Sequence, residues 1–288
     1  MQWIIYSLIM YTASVFEYLL VRKVQKGKVN NKIINFMFLT PAVPFVFIYA
    51  RIAHISLAVT IPQLLAIIVA TYLFSYLGNK TSFIGIQKAP NPGYSLVIQK
   101  SYAIYTAVAA VFLFGAKITF PAILAILIII LFSGTIMLDR GKTKKIKSSS
   151  WLVSSILAFF MFGNLALFSK YIQLQMVNPI TLAFYIFTFN GIFCGIELWK
   201  SKSDVNFGHG RTMWFLLLII GLSNGIFNIM MQLAYKSAPN IGYVNIINAA
   251  SITAITLFSA YFFKDKLTIE KVIGVVGVAL GLILLITV

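Results

Sequence analysis

Apolar residues run along this chain in ten stretches, at about 3–21, 33–50, 62–86, 93–114, 119–138, 151–169, 179–199, 212–235, 241–263 and 269–287. A hydrocarbon layer roughly 30 Å thick is crossed by about 20 residues of helix, so each stretch is long enough to span it. The pattern predicts an all-α membrane protein of ten transmembrane helices. Between the fifth and sixth stretches lies Arg140-Gly141-Lys142-Thr143-Lys144-Lys145-Ile146-Lys147-Ser148-Ser149-Ser150, a polar, basic linker that cannot stay in hydrocarbon. It divides the chain into five helices at 1–143 and five at 144–288.

The two halves carry the same phrase. Ala89-Pro90-Asn91-Pro92-Gly93-Tyr94 returns as Ala238-Pro239-Asn240-Ile241-Gly242-Tyr243, an offset of 149 residues. At that offset Ser75 falls on Asn224, Asn79 on Asn228, Gln99 on Asn248, Phe114 on Phe263 and Lys117-Ile118-Thr119 on Lys266-Leu267-Thr268. A duplicated unit with an odd number of helices enters the membrane the second time in the opposite sense. The expectation is therefore two inverted five-helix repeats with a substrate path between them.

Composition removes the soluble alternative, since 60% hydrophobic and 10% charged residues with a mean hydropathy of +0.93 leave too little polar surface to face water. The net charge of +17 sits mostly in short loops, where it sets topology and does not mark a nucleic-acid surface. Loops after odd-numbered helices hold sixteen Lys and Arg and those after even-numbered helices hold four, which puts the first set in the cytoplasm and both termini outside. The first apolar stretch has no Lys or Arg before it and no small-residue cleavage site, and reads as a spanning helix. The single cysteine, Cys194, excludes an intramolecular disulfide and a cysteine-based metal cluster. His54 and His209 fall in loops without a second ligand at metal spacing, and no cofactor is implied.

Three ionisable residues lie at membrane depth: Glu17 in helix one, Lys80 in helix three and Lys100 in helix four. Such groups are expensive in hydrocarbon, by about 2.5–3.5 kcal/mol on insertion scales, and either face a cavity or snorkel to a helix end. Helix eight carries a polar stripe, Asn224, Asn228, Gln232 and Tyr235, at helical spacing. Ser75 and Asn79 repeat it in helix three, Asn245, Asn248 and Ser251 share a face of helix nine, and Gln99 stands in helix four. Taken singly, each suits interhelical hydrogen bonding; taken as a mirrored set, they suit a polar central cavity. If Glu17, Lys80 and Lys100 share it, its charge sums to +1 and favours an anionic or zwitterionic solute. Gly191-Ile192-Phe193-Cys194-Gly195 and Gly277-Val278-Ala279-Leu280-Gly281 permit close helix packing, Pro41 and Pro44 kink helix two, and Glu197 stands one turn from Lys200 at a helix end.

Five plus five helices, the A-P-N-x-G-Y turns, Lys264-Asp265-Lys266-Leu267 and the Gly274, Gly277, Gly281 pattern resemble the EamA-type branch of the drug/metabolite transporter superfamily. The second half carries most of the likeness; in the first, Gly115-Ala116-Lys117 lacks the acidic residue common at that turn. The resemblance implies a site built from helices one, three, four, six, eight and nine, which adds Asn164 in helix six and the aromatics Tyr18, Tyr102 and Tyr243. It also implies cytoplasmic termini, against the charge bias.

No Walker-type glycine loop, paired carboxylates or nucleophile–base set is present, so the expectation is not an enzyme. It is a plasma-membrane secondary transporter, an exporter or exchanger of a small polar metabolite such as an amino acid or organic anion. A coupling proton or counter-substrate, the bilayer, and a monomeric or homodimeric state complete that reading, with no nucleic acid partner. The alternatives are a flippase for a lipid-linked substrate on the same fold and a non-transporting scaffold or receptor.

Overall fold

The computed structural model describes residues 2–27, 29–89, 92–137, 150–201, 208, 210–264 and 267–287, with the side chains of 25, 26, 87 and 92–94 left aside. The basic linker with the 143/144 boundary, Pro90, Asn91, His209, Asp265 and Lys266 therefore lie outside the described residues. Among the described residues ten helices occur in order: α1 Gln2–Lys26, α2 Asn31–Ile52, α3 at 61–88, α4 at 92–114, α5 Phe120–Met137, α6 Ser150–Leu174, α7 Pro179–Lys200, α8 Arg211–Ser237, α9 Ile241–Phe263 and α10 Ile269–Ile286. Nine are long and apolar enough to cross a membrane, and α5 is apolar and slightly shorter. No strand occurs among the described residues. This is an all-α membrane protein, as the apolar pattern predicts.

Local chemistry sets the helix ends. Thr60 and Gln63 cap the start of α3 reciprocally, Asn178 caps α7 ahead of Pro179, and Asn240 accepts from the Gly242 N–H at the start of α9. Proline crowds the residue before it out of the helical region. Accordingly Ala89 and Ala238, which precede the prolines of the two repeated turns, have ψ of 144° and 142° and end α3 and α8 alike.

Three helices are irregular, and all three border the interior cavity. Pro41 divides α2 into Asn31–Leu39 and Ala42–Ile52. The break frees backbone carbonyls, and Asn224 Nδ2 donates to that of Phe38 at 2.8 Å. Pro44 falls in the first turn of the second segment, where its missing N–H is tolerated. Helix α3 widens to a π-helical stretch over Thr71–Tyr76 between Ile61–Ala70 and Leu77–Lys88. Helix α4 breaks at Ser101, whose hydroxyl donates to the Val97 carbonyl at 2.8 Å, between Pro92–Lys100 and Tyr102–Phe114.

Helix pairing is reciprocal between the halves. Helix α1 packs on α8 and α9, and α6 packs on α3 and α4; α2 packs on α7 and α8, and α7 on α2 and α3. The start of α9, Ile241–Ser251, is buried throughout. Small residues bring backbones together where dispersion must replace the hydrophobic effect. A side chain at Gly277 would collide with the Phe132 ring, and Gly274 and Gly281 likewise seat α10 on α5. Gly191 and Gly195 face Thr40 and Phe36 and seat α7 on α2.

Candidate functional site

A cavity of about 240 Å³ lies among α1, α2, α3, α4, α6, α7, α8 and α9. Of the eleven candidate residues, Glu17, Asn79, Gln99, Lys100, Asn224, Asn228, Gln232 and Asn248 line it; Lys80, Asn164 and Asn245 do not. The three pairs related by the repeat offset, Ser75 with Asn224, Asn79 with Asn228 and Gln99 with Asn248, all line this one space. So do Phe83 with Gln232 and Ile86 with Tyr235, at the same offset.

Its one carboxylic acid and one amine stand on different helices. Glu17 on α1 is 3% exposed, and its Oε2 has no hydrogen-bond partner among the described residues. Lys100 ends the first segment of α4, with its ammonium 5.8 Å from the centre of the Tyr18 ring. The two feel each other electrostatically but form no direct ion pair. A buried carboxylate and a partly buried ammonium left apart inside the bundle keep their capacity for a third party.

The amides divide between structure and cavity. Gln99 is fixed at both ends, accepting from Ser82 Oγ at 2.6 Å and donating to Ser95 Oγ at 2.8 Å, and Ser95 meets Ser155 of α6 at 2.6 Å. Asn228 Nδ2 donates to Asn224 Oδ1 at 2.8 Å, and Gln232 Nε2 to Ser169 Oγ at 3.2 Å. Asn79 has no hydrogen bond among the described residues. Asn248 Oδ1 and Asn190 Oδ1 are buried acceptors without a donor among the described residues. Native interiors rarely leave such groups unpaired. Together with Glu17 Oε2, three vacant acceptors point to a solute that brings hydrogen-bond donors.

Three expected site residues lie elsewhere, each for a physical reason. Lys80 is one residue beyond Asn79, about 100° around the helix, and faces α7, where its ammonium donates to Glu197 Oε1 at 3.0 Å. Its side chain is 48% exposed, and Tyr76 Oη donates to the other Glu197 oxygen at 2.8 Å. Glu197 thus pairs across to α3 and not along its own helix to Lys200. The cavity's formal ionisable sum is zero, in place of the +1 that Lys80 would give. Asn164 Oδ1 accepts from Tyr105 Oη at 2.9 Å. Asn245 is buried as a junction: its Oδ1 accepts from Tyr235 Oη and Tyr102 Oη, and its Nδ2 donates to Thr106 Oγ1 at 2.9 Å.

Of the aromatics, Tyr18 and Tyr102 line the cavity, and Tyr243 donates to the Lys117 carbonyl away from it. Asn35 on α2 and Asn190 on α7 also line it, with Asn190 Nδ2 donating to Ser75 Oγ at 2.8 Å. Asn190 stands mid-span, an amide at membrane depth that marks it in the sequence. The site includes α2 and α7, beyond the six helices the resemblance implies.

The two ends of the cavity differ. At the side of the α8–α9 turn, Gly242 lies against the Ala107 backbone with no room for a side chain, and Asn240 Nδ2 donates to the Ala107 carbonyl at 3.1 Å. Lys170 of α6 caps α8 there, donating to the Tyr235 carbonyl at 2.7 Å. On the other side the lining reaches Val21, Ile34, Ile86 and Leu96, near the α1–α2 and α3–α4 connections. The first segment of α4 has no substantial packing on α9.

Residues 149–287 match the EamA-like transporter family, in line with the resemblance to the EamA branch of the drug/metabolite transporters. A protein of solved crystal structure shares the fold at a TM-score of 0.80 over 97% of this chain and 94% of its own, with 11% sequence identity. That is a likeness of fold alone. No curated protein matches the chain. The helices make this a multi-pass membrane protein, and the match over residues 149–287 is similarity to membrane transporters of the drug/metabolite type.

Proposed function

From the match of residues 149–287 to the EamA-like transporters and the cavity's chemistry, we propose a secondary transporter of a small zwitterionic metabolite of amino-acid type. The observation that carries this is the pairing of Glu17 and Lys100 in one cavity without contact between them. A solute with an ammonium and a carboxylate would satisfy both, its ammonium at Glu17 and the acceptors of Asn190 and Asn248, its carboxylate at Lys100. With Lys80 outside, a solute carrying only negative charge would leave Glu17 opposed by like charge, which disfavours the organic-anion alternative.

In this reading, residues 1–143 and 144–288 are inverted repeats that rock about the cavity, as the shared lining of offset pairs supports. The protein works in the plasma membrane, and a proton or counter-substrate drives exchange. The test is uptake into proteoliposomes with radiolabelled amino acids against dicarboxylates of similar size, after a thermal-shift preselection. Saturable uptake of a zwitterion, competed by other zwitterions, supports the proposal. Uptake of dicarboxylates alone, or of none of these solutes by protein that other ligands stabilise, overturns it.

A further inference from the structure

The sealed end of the cavity is a polar junction between the halves. Tyr102 and Thr106 come from α4, Tyr235 from α8 and Asn245 from α9, and one side-chain amide joins all four. All are buried, Thr106 fully. Opening this end requires Asn245 to release the two α4 residues, because they belong to the other half of the chain. Shifting each by the 149-residue repeat offset gives its counterpart: Ile86 for Tyr235, Leu96 for Asn245, Ile255 for Thr106 and Ser251 for Tyr102. Ile86 and Leu96 line the cavity toward its other end, where the first segment of α4 stands off from α9. Three of the four counterparts of the hydrogen-bonded junction are thus aliphatic, and the fourth, Ser251, meets Ser14 of α1 at 3.3 Å.

We infer that the chain carries two gates of unlike chemistry: a polar gate of Tyr102, Thr106, Tyr235 and Asn245, closed in this structure, and an apolar gate of Ile86, Leu96 and Ile255 that closes when the first opens. The inference rests on the alternating-access reading above, and its physical content is an asymmetry. The polar gate is held by directional bonds that water replaces on opening, whereas the apolar gate closes by expelling water from aliphatic surface. Asn245 therefore sets the balance between the two states, and replacing it with leucine leaves two tyrosine hydroxyls without their acceptor and favours the state with the apolar gate shut.

The experiment uses full-length protein in proteoliposomes with Cys194→Ala, which removes the single native cysteine. Leu96→Cys with Ile255→Cys, and separately Thr106→Cys with Asn245→Cys, are oxidised with copper phenanthroline, and disulfides are read as loss of labelling by a maleimide–polyethylene glycol. Both pairs are expected to cross-link, and Asn245→Leu is expected to raise the cross-linked fraction of the Leu96/Ile255 pair at least twofold. A second readout guards against misfolded double variants: Ile86→Cys alone should react with an impermeant maleimide, and Asn245→Leu should slow that reaction severalfold. A Leu96/Ile255 pair that stays fully reactive while the Thr106/Asn245 pair cross-links overturns the inference, as does an Ile86 labelling rate unmoved by Asn245→Leu. Neither readout needs a substrate. Cross-linking without amino-acid uptake keeps the gates and removes the substrate assignment, and uptake without cross-linking does the reverse.

Discussion

Lys80 and Glu197 join the two halves of the chain, the ammonium on α3 donating to the carboxylate on α7 at 3.0 Å, outside the cavity that Asn79 lines one residue earlier. The same contact removes Lys80 from solute recognition and ties α3 to α7 at a partly exposed surface. Exposed ion pairs contribute only about 0.2–1 kcal/mol. Lys80→Met should therefore insert normally, lower thermal stability slightly and keep the solute preference. Loss of zwitterion uptake in a monodisperse Lys80→Met protein would return the lysine to the transport path.

Glu17 and Lys100 should behave differently. A hydrogen bond to a charged group contributes about 1.5–3 kcal/mol, so removing either partner weakens binding about 10- to 100-fold. Glu17→Gln and Lys100→Met, read by ligand-induced thermal shift, should each lose most stabilisation by a zwitterionic amino acid. The two should part on ligand form: Glu17→Gln is expected to retain binding of N-acetylated analogues, which carry no ammonium. Equal, unaltered binding by both variants would take the site elsewhere.

Close packing makes the glycines unequal. At Gly277 a side chain meets the Phe132 ring, and such overpacking costs about 1–3 kcal/mol or more. Gly210, which precedes α8, has no neighbour around its missing side chain. Gly277→Leu should reduce the yield of monodisperse protein severalfold in detergent, and Gly210→Ala should match the parent on the same size-exclusion column.

Loop charge sets the expected orientation. With sixteen basic residues in loops after odd-numbered helices and four after even-numbered ones, we expect both termini outside. A phosphatase fused after Val288 should be active and a fluorescent protein that matures only in the cytoplasm dark. The opposite pair of results would show that the family's orientation overrides this chain's loops.

The apolar helices and the polar stripe of α8 were legible in the sequence because each depends on local quantities. Hydrocarbon thickness fixes the length of an apolar run, and a period of 3.6 residues fixes which side chains share a face. Asn224, Asn228 and Gln232 were therefore found together, as were Asn79, Gln99 and Asn248 through the offset that links the halves. The sequence alone also determined depth: Glu17, Lys80 and Lys100 all lie well inside helices.

Only the tertiary structure decided which wall of the bundle each residue faces. Asn79 and Lys80 share a depth but stand about 100° apart, and one meets the cavity while the other meets Glu197, a residue 117 positions away. Asn245 carries the same residue type as Asn248 on the same helix, yet it is consumed by Tyr102, Thr106 and Tyr235. The π-helical stretch in α3 and the breaks in α2 and α4 further rotate the helical segments beyond them. Periodicity places a residue around its own axis; the identity of the neighbour across that face arises only when distant helices pack, so the composition of the cavity is a property of the assembled bundle.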